Sequence, residues 1–501
     1  MQHEFPFVWF IVAFAAYTAL IFFISWLTAR RSGSNSFFSG DKKAPWPVVA
    51  YGMIGGSISG VTFISVPGNV WVQNFFYMPL VLGFVGGYIV IAKVLLPLYY
   101  KMNLTSIYGY LGERFGSKTH KTGTTVFLVS RILGAAVRIF VVIVVFLAFM
   151  PKSLVESTSP LFLFTIIAFV FLGLIYLYTY RGGVKTIVWT NVLQTTFMLL
   201  AVGLTIYFIC KDMGWSFGQM FSIVGSTVNE NAGTVGYGHT FTSWFDWDWS
   251  HGTNAVKQFI SGIFVTIAMT GLDQSMMQNN LACKDIKASQ KNMYTTSIII
   301  VVANFFFVLM GALLCVYAQS KGIEFGKTDE LFPTIASQYL GVGIGVFFLI
   351  GLISASYPSA GSAMTALTTS FCVDYLGFNT RTDWDDKTKD TVRKWVHAGV
   401  AALFLIIIVV LQIVSSDAVV NLVYKLASYT YGPLLGMFFF GIISKAQVRD
   451  GATPYIAVAA PVLCLIFNLL SKKFWGFDLG FSLLIVNGLL TYLGMWLFRK
   501  K

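Results

Sequence analysis

The chain is a succession of long apolar blocks cut by short polar stretches, and the length of those blocks constrains the fold more than any other feature. Residues 401–411 (AALFLIIIVVL) show no alternation of apolar and polar positions. A membrane barrel strand must alternate between lipid and lumen, so such runs exclude a barrel. A helix crossing the hydrocarbon layer needs about 20 consecutive apolar residues, and these blocks supply them. Only 11% of the residues are charged, against roughly 25% in soluble domains, so a water-exposed fold is excluded. The sequence therefore predicts an all-α membrane protein that crosses the plasma membrane many times.

Blocks of this kind predict thirteen spans, at residues 6–29, 45–69, 77–100, 122–149, 160–178, 184–209, 256–276, 293–318, 340–373, 395–414, 419–441, 452–471 and 478–498. Positive charge falls mainly on one set of alternate loops. That set holds Arg30, Arg31, Lys42, Lys43, Lys101, Arg114, Lys118, Lys121, Arg181, Lys185, Lys284, Lys287, Lys291, Arg381, Lys387, Lys389, Arg393, Lys394, Lys445 and Arg449 and ends with Arg499, Lys500 and Lys501. The opposite set holds only Lys152, Lys211, Lys257, Lys321, Lys327, Lys472 and Lys473. Cytoplasmic loops are the basic ones, so the N-terminus is expected outside and the C-terminus in the cytoplasm. The net charge of +13 is read as this topology signal and not as a nucleic-acid surface.

Several chemistries find no support. The five cysteines have neither metal spacing nor a disulfide pattern, and they are read as small core residues. No G-x-x-x-x-G-K-[ST] phosphate loop is present. His3, His120, His239, His251 and His397 are scattered, whereas a membrane-embedded enzyme would cluster such groups. No output domain is expected after the last span, which disfavours a sensor, and no repeated filter motif suggests a channel. A transporter that is not an enzyme remains.

Three spans carry residues that a lipid-facing helix has no use for. The second contains Gly52, Gly55, Gly56, Ser57, Ser59, Gly60, Thr62 and Pro67. Those small residues fit either a tight packing ridge or an unwound segment whose freed oxygens hold a cation or solute. The seventh ends in Thr270-Gly271-Leu272-Asp273-Gln274. It lies five spans after the second, and five is odd, so two five-helix units would enter the membrane in opposite orientations. The ninth carries Ser356, Ser359 and Ser362 at three-residue spacing around Pro358. A proline there has no N–H for the carbonyl of Ser354, and oxygen-rich surroundings suit a small hard cation. Ser and Thr hydroxyls in a span also bond their own backbone, which is the competing reading.

Four basic residues fall inside the spans. Lys93 and Arg131 are expected to snorkel, Arg138 to face a polar cavity and either steady the bundle or meet an anionic or hydroxyl-rich solute, and Lys425 to serve as gate or snorkel. Asp273 and Asp478 are the acids within spans. So few buried carboxylates argue against a proton relay and for a metal cation held by neutral oxygens.

The residues resemble the solute:sodium symporter family, which includes bacterial sialic acid and galactose transporters with the LeuT-type fold. The resemblance rests on Ser57-Ile58-Ser59-Gly60-Val61-Thr62-Phe63, the stretch from Arg181 to Gln194, Asp273-Gln274 with Gln278, Ser359 to Asp374, and Tyr431-Gly432-Pro433-Leu434-Leu435-Gly436. It implies one transporter domain with an extra N-terminal helix (1–44), two inverted repeats (45–209 and 256–441) and two trailing helices (452–501). It implies a sodium ion held by the carbonyls of Gly55, Ile58 and Ala355 and the hydroxyl of Ser359. Solute contacts would come from Ser57, Ser59, Thr62, Tyr77, Arg138, Asp273 and Gln274. Pro358 stands where the family usually offers a second hydroxyl, and Asn191 where members that bind an additional sodium carry aspartate. One sodium per cycle is therefore expected. Sialic acid transporters use a third-helix arginine whose position here falls near Gly134, flanked by Arg131 and Arg138. The implied function is sodium-coupled import of a small polar solute, such as a sugar or sugar acid, across the bacterial inner membrane. Uniport or proton coupling on the same fold is the alternative, and the sequence leaves the oligomeric state open.

Overall fold

A computed structural model describes residues 6–29, 37–38, 40–230, 238–414, 417–476 and 479–500. Arg30, Arg31, Asp478, Lys501 and the side chains of Lys152 and Lys425, all named above, lie outside the described residues. Each expected span coincides with a helix or with a pair of helices meeting at a bend. In chain order they are α1 (Phe7–Ala29), α2 (Trp46–Ser57) with α3 (Gly60–Gln73), α4 (Met78–Lys101), α5 (Ser117–Ala148), α6 (Pro160–Thr179), α7 (Gly183–Asp212), and α8 (Ala255–Gly271) with α9 (Gln274–Asn280). Then follow α10 (Ile286–Lys321), α11 (Val342–Tyr375), α12 (Asp386–Val414), α13 (Asp417–Ile443), α14 (Asp450–Trp475) and α15 (Gly480–Leu497). Among the described residues ten helices are long and apolar enough to cross a bilayer, twelve with each bent pair counted as one span, and α13 contributes a shorter apolar stretch, Tyr429–Ile443. Among the described residues the only extended pairings are isolated bridges such as Ala44 with Cys283.

The two interrupted spans are bent by 62° between α2 and α3 and by 72° between α8 and α9. The second departs from the sequence expectation, which ended that span near residue 276. The helix instead turns at Leu272 and Asp273 and continues as α9 to Asn280, so Asp273 sits at an internal break and not at a membrane edge.

Glycines let the helices nearest the breaks approach backbone to backbone. A methyl added at Gly83 of α4 would collide with the Phe259 carbonyl of α8, and one at Gly262 of α8 with the Leu80 carbonyl of α4. At Gly60 it would collide with Ser356 Oγ and Val142, which seats the start of α3 against α11 and α5. The glycines of the second span thus serve packing as well as the break. Pro358 does not break α11, which runs through it as one helix. The outward faces of α1, α12 and α14 expose Trp9, Phe23, Ile406, Ile413, Val458 and Leu469, an apolar surface that a bilayer covers.

Candidate functional site

At the α2–α3 break, Ile58 and Ser59 leave the helical region, with ψ of 114° and 169°. The cause is a reciprocal cap. Ser59 Oγ accepts from the Thr62 amide at 3.3 Å, and the Ser59 amide donates to Thr62 Oγ1 at 3.4 Å. In an unbroken helix the Ser59 amide would go to the Gly55 carbonyl and the Thr62 amide to the Ile58 carbonyl. The cap diverts both donors and so strips the helical partners from two of the expected sodium ligands. Ser59 and Thr62 thereby shape the break, a role the sequence reading did not give them.

The third and fourth expected ligands lie on α11, against this break. A Cβ on Gly55 would sit 3.5 Å from the Pro358 ring and 2.7 Å from Thr195 Oγ1, and the Gly55 amide donates to that hydroxyl at 3.0 Å. The α11 hydroxyls divide by partner. Ser356 Oγ donates to its own backbone at Leu352 O, 2.6 Å away, and Ser354 Oγ donates to Tyr17 Oη at 2.6 Å. Ser359 Oγ and Ser362 Oγ are buried with no hydrogen-bond partner. Such orphaned oxygens are costly unless something binds them, and together with the freed carbonyls they match the neutral-oxygen shell of a sodium ion. Asn191 is 2% exposed, and its Oδ1 is likewise unpartnered. Among the described residues no group of three or more His, Cys, Asp or Glu could hold a metal ion.

Two cavities adjoin the break. A water-sized one of about 10 Å³ is lined by Ser59, Gly60, Arg138, Ser356 and Ser359. The larger, about 150 Å³, is walled by Ser57, Ile58 and Thr62 of the first broken span, Tyr77, Phe84 and Tyr88 at α4, Arg131 and Arg138 of α5, Thr266, Thr270 and Met276 of the second broken span, and Asn304 of α10. Of the expected solute contacts, Ser57, Thr62, Tyr77 and Arg138 line this cavity and Ser59 lines the smaller one. Ser57 Oγ also donates to the Met53 carbonyl at 2.9 Å.

Asp273 and Gln274 are not among the lining residues, and both are fully buried. Asp273 caps α9, with Oδ1 accepting from the amides of Ser275 at 2.8 Å and Met276 at 3.3 Å, while Oδ2 accepts from Tyr431 Oη at 2.8 Å. Gln274 accepts from the Ile107 amide at 2.9 Å and donates to the Thr105 carbonyl at 2.8 Å, which ties α9 to the loop after α4. Their polar atoms are spent on holding the second break.

Arg131 overturns its expectation. It does not snorkel: it is 5% exposed, lines the larger cavity, and its Nη1 lies 3.6 Å from Asp273 Oδ2. Lys93, in contrast, is exposed. The sequence reading also missed Asn304, which is 2% exposed with Oδ1 unpartnered. The signal for it was a lone amide within the run Val301-Val302-Ala303-Asn304-Phe305-Phe306-Phe307.

The model of the sodium:solute symporter family matches residues 37–454. The sodium/sialic acid symporter SiaT of Proteus mirabilis is 22% identical over 470 residues, covering 91% of this chain and 89% of the relative. The sodium/sialic acid symporter NanT of Aliivibrio fischeri is 23% identical, covering 90% and 86%. The solved structure of a Na+-coupled sialic acid symporter in a substrate-bound outward-open state superposes with a TM-score of 0.79, at 20% identity, over 99% of this chain and 98% of that one. These matches, the two broken spans and the oxygen-rich contact between them and α11 place the chain, a multi-pass plasma-membrane protein of LeuT-type fold, in the sodium:solute symporter family of sodium-coupled secondary transporters.

Proposed function

We propose that the transporter imports a hydroxylated monocarboxylic acid, sialic acid or a close sugar acid, with one sodium ion per cycle. Arg138 carries this reading. It lines both cavities, and among the described residues no acceptor or carboxylate pairs with it. A guanidinium at membrane depth without a counter-charge is expensive, and a solute carboxylate would neutralise it. Both relatives described above are sialic acid symporters by name.

In this reading sodium rests between the carbonyls of Gly55, Ile58 and Ala355 and the Ser359 hydroxyl, and the solute meets Ser57, Thr62, Tyr77 and Arg138. Sodium draws α2, α3 and α11 together and so favours the conformation in which the solute site is complete. Asp273 and Gln274 act through the second break instead of by contact. The basic loops support an outside N-terminus and cytoplasmic C-terminus, with repeats at 45–209 and 256–441. The test is accumulation of labelled sialic acid in proteoliposomes under a sodium gradient, with choline replacement and with Arg138→Gln. The reading expects accumulation only with sodium and its loss in the variant. Equal uptake in choline would overturn the coupling, and full activity of Arg138→Gln would overturn the anionic solute.

A further inference from the structure

Arg131 faces two ways. Its Nη1 lies 3.6 Å from Asp273 Oδ2, too long for a strong hydrogen bond, while its Nε and Nη2 have no acceptor although the residue is 5% exposed and lines the larger cavity. Asp273 is not similarly short of partners, because Tyr431 Oη and the α9 amides already hold it. Arg131 is therefore the loosely held member of the pair. Arg138 lies seven residues further along the same helix, two turns or about 10 Å, and on nearly the same face. Asp273 occupies the break between α8 and α9 and serves as the N-cap of α9.

We propose that Arg131 is a second solute contact that changes partner during transport, leaving Asp273 for an acceptor group of the bound acid and returning to Asp273 when the solute departs. The proposal rests on the anionic-solute reading above. Arg138 takes the carboxylate, and the free N–H groups of Arg131 take a carbonyl or hydroxyl towards the other end of the solute. Two guanidiniums against one buried carboxylate leave one positive charge in the cavity, which selects a monoanion over a neutral sugar or a dianion. The exchange also ties occupancy to the second broken span, since the charge facing its cap changes when solute arrives.

The decisive variant is Asp273→Asn in the full-length transporter. Asparagine still caps α9 through Oδ1, its Nδ2 takes the place of Oδ2 and donates to Tyr431 Oη, and it no longer competes for Arg131. Sialic acid affinity, measured by calorimetry in saturating sodium, should tighten about tenfold, while turnover in liposomes falls together with KM because solute release loses its competitor. The uncharged methyl ester should bind weakly to the parent and the variant alike. Adding Arg131→Gln to Asp273→Asn should abolish the tightening. Weaker binding in Asp273→Asn would make Asp273 a direct solute contact, and a lowered melting temperature with unchanged Kd would make the pair purely structural. Either result overturns the exchange. If the parent bound no acid at all, the anionic-solute reading would fail instead. Should Asp273→Asn not fold, Tyr431→Phe serves: it leaves Asp273 with one donor fewer, strengthens its hold on Arg131 and must weaken sialic acid binding, and unchanged or tighter binding overturns the proposal.

Discussion

Replacing Ser59 with alanine removes the hydroxyl that diverts the Thr62 amide from the Ile58 carbonyl. A Ser-to-Ala change at an N-cap costs roughly 0.5–2 kcal/mol. The two bonds of this cap are long, 3.3 and 3.4 Å, so the lower end applies, about 0.5–1 kcal/mol. That energy comes off the broken geometry relative to a rewound helix, in which the Gly55 and Ile58 carbonyls regain amide donors. Because sodium binds the broken geometry in the reading above, its apparent affinity should weaken about two- to fivefold. Thr62→Val removes the longer return bond and the 3.3 Å contact between the two hydroxyls but leaves Ser59 Oγ on the Thr62 amide, and should have the smaller effect. The assay is a sodium titration followed by tryptophan fluorescence in detergent without solute, which separates ion binding from any solute contact of Ser59. Unchanged sodium affinity in both variants would refute the capping argument, and the break would then be held by packing alone, as at Gly60 against Ser356 and Val142.

Asn191→Asp places a charge against the α2 side of the break, where a methyl on Gly56 would lie 4.0 Å from Asn191 Nδ2, and should raise the Hill coefficient for sodium above one; a coefficient that stays at one means charge is not what limits ion number. Pro358→Ser restores a hydroxyl next to Gly55 and should tighten sodium in the same titration, whereas weaker binding would show that the ring itself is needed against Gly55. Gly262→Ala drives a methyl into the Leu80 carbonyl, and since backbone cannot rotate away the expected cost is about 1–3 kcal/mol; an unchanged melting temperature would contradict it. Burial raises the Asp329 carboxyl above its ordinary value, with Ser65 and Lys327 pulling the other way. The stability tied to its protonated form is therefore present at low pH and lost as pH rises through the folded pKa. Asp329→Asn should melt higher than the parent at neutral pH, with the gap closing well below the ordinary carboxylate pKa of about 4; a gap independent of pH would refute the assignment.

The spans and the two breaks were legible in the sequence because both are local properties. An apolar block long enough to cross a bilayer is helical wherever it lies, since lipid offers its backbone no other partner. Residues such as Gly55, Gly56, Ser59 and Gly60 weaken a helix through their own conformational preferences and hydroxyls. The fates of Arg131, Asp273, Gln274 and Asn304 are not local. Arg131 sits in a context that fits snorkelling as well as burial, and only the placement of α5 against the α8–α9 break turns it inward to Asp273. Asp273 and Gln274 read as solute contacts from their motif, but the tertiary structure commits their polar atoms to the α9 amides, to Tyr431 and to the loop at Thr105 and Ile107. The same division runs through the α11 hydroxyls, where identical spacing gives Ser356 a backbone acceptor and leaves Ser359 without one. Sequence therefore determined where the helices are and where they fail, through energies each segment carries alone. Which polar groups remain free at the centre was decided only when distant segments met, because a buried polar group's state depends on whatever partner packing brings within about 3 Å.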